Sequence, residues 1–570
     1  MKVFVIGLDG ASLDLLNPWV DAGYLPGLAQ LMSQGCYSNL ESVPNQRSAA
    51  AWTSFQTGTN PGKHGIFEFY ERIPNTYDIR FVNARTRGGA TFFRVASDAG
   101  KCVVAINVPM TYPAEDIQGA VLAGLDAPGT WSRGFSHPPH LIEEVEARTG
   151  KYVIEPGLTG CIVNGEWDKA VRLLFEEIEC KARVTRFLME KYPWDLLVTV
   201  FRSTDAVHHC FWKYHDPGHP QFDPEMAKRY GDVILKAYQR IDGFLQEILI
   251  GLDQDTLVLV VSDHGCGPKH PASNQLNLWL QSSGYLAYEK IRSAGRAEWT
   301  RLLAGVYRWT IAKTPRRAKE VLWRTLPGLR DRVQSRLCFS GIDWARTRAF
   351  SDSLFPNIWM NVKGRDPHGI VSPNREYEDL CTELAARLSG CRDETSGESI
   401  VDNVFHRNEI YAGPHVHKAP DLLVRWREDT PIHGLGLPSD RSAGRDTSMQ
   451  GSGRPFIPGE DYRVISGDHR LNGLLLCRNP GQPPGGRLAH RATIMDVAPT
   501  VLYALGVPIP EEMDGKVLAA LFGEGSLILR PPVKKRPAEA GRGLPKSEGD
   551  YDREDEESIR QRLRSLGYLE

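Results

Sequence analysis

The chain has 570 residues, 41% of them hydrophobic and 24% charged, which suits roughly two to four domains or one elaborated α/β domain and excludes a disordered or fibrous class. A formal net charge of -2 excludes a global bias toward nucleic acid or an anionic membrane, so only local patches need judging. Ten scattered cysteines without a C-x-x-C pair argue against a thiolate zinc site and against a small disulfide scaffold.

In chain order, Val3 to Gly7 is an apolar run meeting Asp9-Gly10 and is expected to be the first strand. The run is too short for a secretory signal, and no stretch approaches the roughly 18 apolar residues of a membrane span, so a cytoplasmic location is expected. A helix is expected around residues 18–34, with Leu25, Leu28 and Leu31 on one face, and another over "SAAAWTSFQTG", residues 48–58, opened by Ser48 and closed by Gly58. "CVVAINVP" and "AVLAGLD" read as core strands. A long amphipathic helix over 168–192 leads into the strand "DLLVTVF" at 195–201, and a second over 224–250 leads into "TLVLVV". Alternating strands and helices predict an α/β fold with a mostly parallel central sheet and helices on both faces.

Residues 1–284 are therefore expected to form the first part of a catalytic core and 341–525 the second. Between them, 285–340 reads as a basic helical insertion or cap. Its residues 290–336 hold 13 Lys or Arg against three acids, with Trp299, Tyr307, Trp309 and Trp323 interleaved. It is expected to be a solvated cap, with an anionic membrane surface as the alternative partner and no strong nucleic-acid signal. Residues 526–570 are expected to be a mobile charged tail, although "IRQRLRSLGYL" could form a docking helix. There is no internal repeat of 20 to 50 residues.

In such sheets ligands gather beyond strand ends, and four polar segments there carry metal-ligand chemistry. Asp9 follows the first strand, and Asp205 and His209 follow "DLLVTVF". Asp263 and His264 end "TLVLVVSDHG", and His469 precedes "GLLLC". On a helical turn, Asp205 and His209 at i, i+4 share a face and can grip one cation. Asp and neutral His suit zinc, with manganese or iron also compatible. Six such residues imply two divalent ions clamping a phosphoryl transfer. His415 and His417 form a rival pair, read as structural or substrate-facing. His64 reads as a structural hydrogen-bonder.

The strings "VIGLDGAS", "AAAWTSFQTGTNPGKHGIFEF", "INVPMTYP", "VVSDHGCGP", "GDHRLNG" and "ATIMDVAPTVLYALGVPIPEEMDGKVL", in that order, resemble the alkaline phosphatase superfamily. The specific likeness is to its type I phosphodiesterase and nucleotide pyrophosphatase branch, over nearly all of residues 1–523. The resemblance implies an alkaline-phosphatase-like fold and Ser48 as nucleophile. It implies Asp9, Ser48, Asp263 and His264 around one metal and Asp205, His209 and His469 around the other. Two departures stand out: the nucleophile position holds Ser48 where nucleotide pyrophosphatases usually carry Thr, and Phe69 lies near the place of an Asn that holds a phosphate oxygen. Ser48 also admits a second reading as a helix cap.

The expected function is thus a two-metal hydrolase of phosphodiester or phosphoanhydride bonds in a small phosphorylated substrate, working through a phosphoseryl intermediate. The alternatives are a phosphomonoesterase or phosphomutase of the same superfamily, or a catalytically reduced protein that docks on membrane or nucleic acid. Residue order leaves the oligomeric state open.

Overall fold

The computed structural model describes residues 1–253, 255–269, 275–289, 339, 341–352, 356–393, 395–429, 465–480, 486–488, 491–522, 551 and 553–566. The basic segment 290–336, and with it the membrane-docking expectation, lies outside the described residues.

A strand buried on both faces must be apolar along its buried length, and Lys2–Leu8 is so after its first residue. Phe4, Ile6 and Leu8 enter one hydrophobic cluster while Val3 and Val5 enter another, and Thr256–Val261 divides its side chains in the same way. The central sheet therefore separates two cores. Five parallel strands form its middle, in the order Thr256–Val261, Lys2–Leu8, Leu196–Phe201, Val103–Val108, Gly119–Ala123. Beyond Thr256–Val261 lies Asn472–Arg478, antiparallel to it and to the next strand, Cys36–Glu41. Helices pack on both faces, as the α/β pattern requires.

Two expected helices are each broken in two. The first becomes Leu13–Asp21 and Pro26–Gln34, because Gly23 takes a left-handed φ of 77° and Pro26 opens the next helix. The second becomes Pro224–Tyr230 and Val233–Gly251, with Asp223 capping the first piece through two backbone N–H groups.

Two expected boundaries also change. Residues 341–429 do not simply continue the central sheet. Ala349–Phe350, Asn357–Met360, Leu422–Trp426 and Val401–His406 make their own antiparallel sheet, packed on the helix Arg375–Ser389 around a separate apolar core. The charged tail is ordered at its end. Arg553–Ser565 is a helix whose Ile559 and Leu563 enter the main core, while Arg562 donates to the carbonyls of Leu125, Ala127 and Pro128. Three apolar side chains at helical spacing (Ile559, Leu563, Leu566) offset the repulsion expected of that charged sequence. Among the described residues no helix is long and apolar enough to cross a membrane.

Candidate active site and metal centre

The parallel strands deliver their carboxyl ends to one edge of the sheet. Asp9 leaves Lys2–Leu8 there, the helix Ser203–His215 starts just after Leu196–Phe201, and Asp263-His264 follow Thr256–Val261. Ser48 arrives through the loop after Cys36–Glu41. His469 arrives differently. Because Asn472–Arg478 is antiparallel, its amino end comes to this edge, and with it the short strand Gly467–Arg470. All seven expected residues converge, and all are buried.

Two groups of donor atoms result, Asp9, Asp263 and His264 in one, Asp205, His264 and His469 in the other, each with its ligand atoms within 4.8 Å of one another. In the first, His264 Nε2 is 3.3 Å from Asp263 Oδ2 and 3.6 Å from Asp9 Oδ1. In the second, His469 Nε2 is 3.5 Å from Asp205 Oδ1, and His209, outside that group, brings its Nε2 to 3.2 Å from the same oxygen. The i, i+4 turn forms as expected. Ser48 Oγ lies 3.0 Å from His264 Nε2, so the hydroxyl faces both groups. Ser48 occupies the first helical position of Ser48–Thr57, and Arg47, not Ser48, stands at the cap.

The hydrogen bonds assign the imidazole tautomers. Nδ1 of His209, His264 and His469 lies 2.8, 2.9 and 2.7 Å from the carbonyls of Gly467, Gly265 and Gln46. A carbonyl only accepts, so each Nδ1 carries the proton and each Nε2 turns a lone pair inward. The Nε2 atoms of His209 and His469 then face each other at 3.1 Å. Two lone pairs at that distance repel unless a cation stands between them. Asp9 Oδ1 and Asp263 Oδ2 are buried and accept no hydrogen bond among the described residues. Orphaned carboxylate oxygens and inward imidazole lone pairs are the donor set of a divalent metal site, and the residues fit one.

Charge leads the same way. Three carboxylates share a dry pocket with the buried guanidinium of Arg202, whose Nη1 is 3.0 Å from both Asp9 Oδ2 and Asp205 Oδ2. Burial, with the Asp9 and Asp205 carboxylates, holds the Asp263 carboxyl well above its usual range. Burial raises Asp9 as well, against the pull of Arg202. Burial acts against the Asp205 carboxylate too, yet His209 and Arg202 hold it well below its usual value. Burial pushes His264 down to about 4 and His469 to about 3, so both stay neutral at physiological pH.

Arg202 was not visible as a site residue, because an Arg opening a helix after a strand has no distinguishing pattern. Trp52 is similar: its Nε1 donates to Asp9 Oδ2 at 2.9 Å from the second turn of the Ser48 helix. Neighbours that could have confused the register point elsewhere. His208 Nε2 is 3.2 Å from Tyr238 Oη, and Asp468 is drawn below its usual range, against burial, by Lys269 and the His469 ring. His64 is held between Ser54 Oγ, 2.9 Å away, and the Ile66 N–H, which donates to its Nδ1. Phe69 is packed in the core and offers no donor. His415 and His417 lie outside both donor groups.

Beside Arg47 a pocket opens between the nucleophile loop and the smaller sheet, lined by Phe67, Tyr70, Asn357, Trp359 and Leu423. Glu68 lines it, raised to about 7 by burial despite Arg47. With the folded value above the usual 4.5, its favourable contribution is full below pH 4.5 and is lost as pH rises through about 7. Glu68→Gln should therefore flatten the pH dependence of stability in that window and stabilise the protein at pH 8 by on the order of 2 kcal/mol. Urea unfolding at pH 5 and pH 8 checks this, and an unchanged slope would reject it.

The family model for type I phosphodiesterase / nucleotide pyrophosphatase matches residues 3–434. GPI ethanolamine phosphate transferase 3 of Eremothecium gossypii is 32% identical over 97 residues, 16% of this chain and 8% of that protein, so the chain spans a small part of that relative's length. Phosphonoacetate hydrolase from Sinorhizobium meliloti, solved with phosphonoacetate, aligns with 89% of this chain and 95% of its own at 17% identity and a TM-score of 0.49. Murine ectonucleotide pyrophosphatase / phosphodiesterase 5 aligns over the same shares, 89% and 95%, at 13% identity and a TM-score of 0.42.

Proposed function

The chain belongs to the type I phosphodiesterase / nucleotide pyrophosphatase family; on that premise we propose that it is a hydrolase of phosphoric ester bonds, cleaving phosphodiester or phosphoanhydride bonds through a phosphoseryl intermediate on Ser48. The observation that carries this reading is the convergence of three inward Nε2 atoms and two orphaned carboxylate oxygens around one serine hydroxyl.

Asp9, Ser48, Asp263 and His264 would hold one divalent ion and Asp205, His209 and His469 the other, zinc being favoured by the Asp/His donors. Bound there, the ions supply Lewis acidity that lowers the serine pKa and neutralises charge on the phosphoryl oxygens. Ser48 Oγ forms the new bond to phosphorus while the bond to the leaving alcohol or phosphate breaks. Water then cleaves the phosphoserine and restores the hydroxyl. The start of the Ser48 helix turns the positive end of its dipole toward the phosphoryl oxygens. The Nδ1–H bonds to backbone carbonyls keep the three imidazoles aimed. A cytoplasmic setting belongs to the same proposal and is supported by ten cysteines scattered without a C-x-x-C pair.

The test uses protein reconstituted with zinc or manganese and assayed on bis(4-nitrophenyl) phosphate and 4-nitrophenyl phosphate. Diester turnover should be lost on chelation, with two metal ions per chain by elemental analysis. An acid quench during turnover should leave phosphate on Ser48, read by peptide mass spectrometry. Steady turnover with no phosphoserine would sink the intermediate, and a preference for the monoester would move the activity to a phosphomonoesterase.

A further inference from the structure

The indole of Trp52 is fully buried, yet its N–H goes to a carboxylate of the site rather than to the core around it. Nε1 donates to Asp9 Oδ2 at 2.9 Å, and Arg202 Nη1 reaches the same oxygen at 3.0 Å. Asp9 Oδ1 accepts no hydrogen bond among the described residues and lies 3.6 Å from His264 Nε2. The carboxylate is thus divided. One oxygen is held from behind, and the other faces the donor group of Asp9, Asp263 and His264. Asp263 repeats the division, with Oδ1 accepting from the Gly10 N–H at 3.3 Å and Oδ2 left to that group.

Trp52 stands four residues after Ser48 on one helix, so the two share a face. Ser48 Oγ meets His264 Nε2 at 3.0 Å and Trp52 meets Asp9, so that face touches two members of the same donor group. The ring has little freedom to leave. It lies against Lys2–Leu8 where Gly7 gives it room, since a Cβ there would stand 2.6 Å from the edge of the indole. Phe55 packs on it edge to face at 5.2 Å. Arg202 divides itself between Asp9 and Asp205 and so joins both donor groups, whereas the indole N–H meets Asp9.

We propose that Trp52 is the positioning residue of the Asp9, Asp263 and His264 group: its N–H occupies Asp9 Oδ2, turns Oδ1 alone toward a divalent ion, and fixes that ion's seat relative to the Ser48 hydroxyl. The inference rests on the two-metal reading above. A donor that orients a ligating carboxylate raises metal affinity by about 10–100-fold, because the oxygen is already aimed when the ion arrives.

The experiment titrates the metal-free full chain with zinc against a competing chelator and resolves two dissociation constants. Trp52→Phe, which keeps a ring and removes the N–H, should weaken one ion by about 10–100-fold and leave the other within twofold. Phe55→Leu loosens the packing of the same indole but keeps its donor, so both constants should stay within twofold of the unaltered protein. Two unchanged constants in Trp52→Phe, or an equal weakening of both, overturns the positioning role. A matching loss in Phe55→Leu also overturns it, by reducing the effect to packing. If Trp52→Phe does not fold, Trp52→3-benzothienylalanine, which replaces the N–H with sulfur in a ring of the same shape, decides on the same criterion. Fewer than two zinc ions on the unaltered protein removes the two-metal reading, and this proposal with it. Two ions without phosphoserine in the acid quench removes only the intermediate and leaves the role of Trp52 to the titration.

Discussion

Alanine at position 48 should abolish turnover, by on the order of 10⁴-fold or more, while leaving metal content and thermal stability near those of the unaltered protein. Ser48 is fully buried at the first helical position, and alanine is a good helix former there. The loss is therefore chemical. The other hydroxyls of that helix are engaged elsewhere: Ser54 is paired with His64, and Thr53 and Thr57 return their hydroxyls to the helix carbonyls of Ala49 and Thr53. Ser48→Thr keeps a hydroxyl and should retain measurable turnover, limited by the added methyl in a packed site. Diester hydrolysis beside elemental analysis checks both variants. Substantial activity in Ser48→Ala would force a mechanism in which water attacks phosphorus directly.

The second large effect is on stability. Arg202→Met should destabilise the metal-free protein by about 3–5 kcal/mol, because it leaves the Asp9 and Asp205 carboxylates buried without their shared cation. Arg202 belongs to a wider buried set, since it also draws on Glu155 and Glu177 from behind the site. Saturating zinc should return part of the loss, since ions that bind only the folded chain stabilise it by mass action. Urea denaturation of metal-free and zinc-loaded protein measures both terms. A loss below about 1 kcal/mol in the metal-free state would show that Arg202 is dispensable as a counter-ion.

Much of the site was legible in one dimension because its parts obey local rules. Thr256–Val261 ends in Asp263-His264 and Lys2–Leu8 ends beside Asp9, and a parallel strand can only present such residues beyond its carboxyl end. Asp205 and His209 needed only one helical turn to meet. His469 could be suspected as a ligand, but its arrival depends on a strand that runs against its neighbours, which spacing along the chain does not encode. Arg202 carried no signal, because its meaning comes from two carboxylates on different segments. The charged C-terminal stretch read as mobile, since three apolar side chains among many charges matter only once a core is present to receive them.

Residue order alone dictates the alternating apolar runs, the polar residues that close them and the helical pairing of Asp205 with His209, because each follows from interactions within a few neighbouring residues. Assembly decides the rest. Only the packed sheet brings His209 and His469 nose to nose and sets Arg202 under two carboxylates, because those contacts join segments up to hundreds of residues apart, and their strength depends on the water that burial removes.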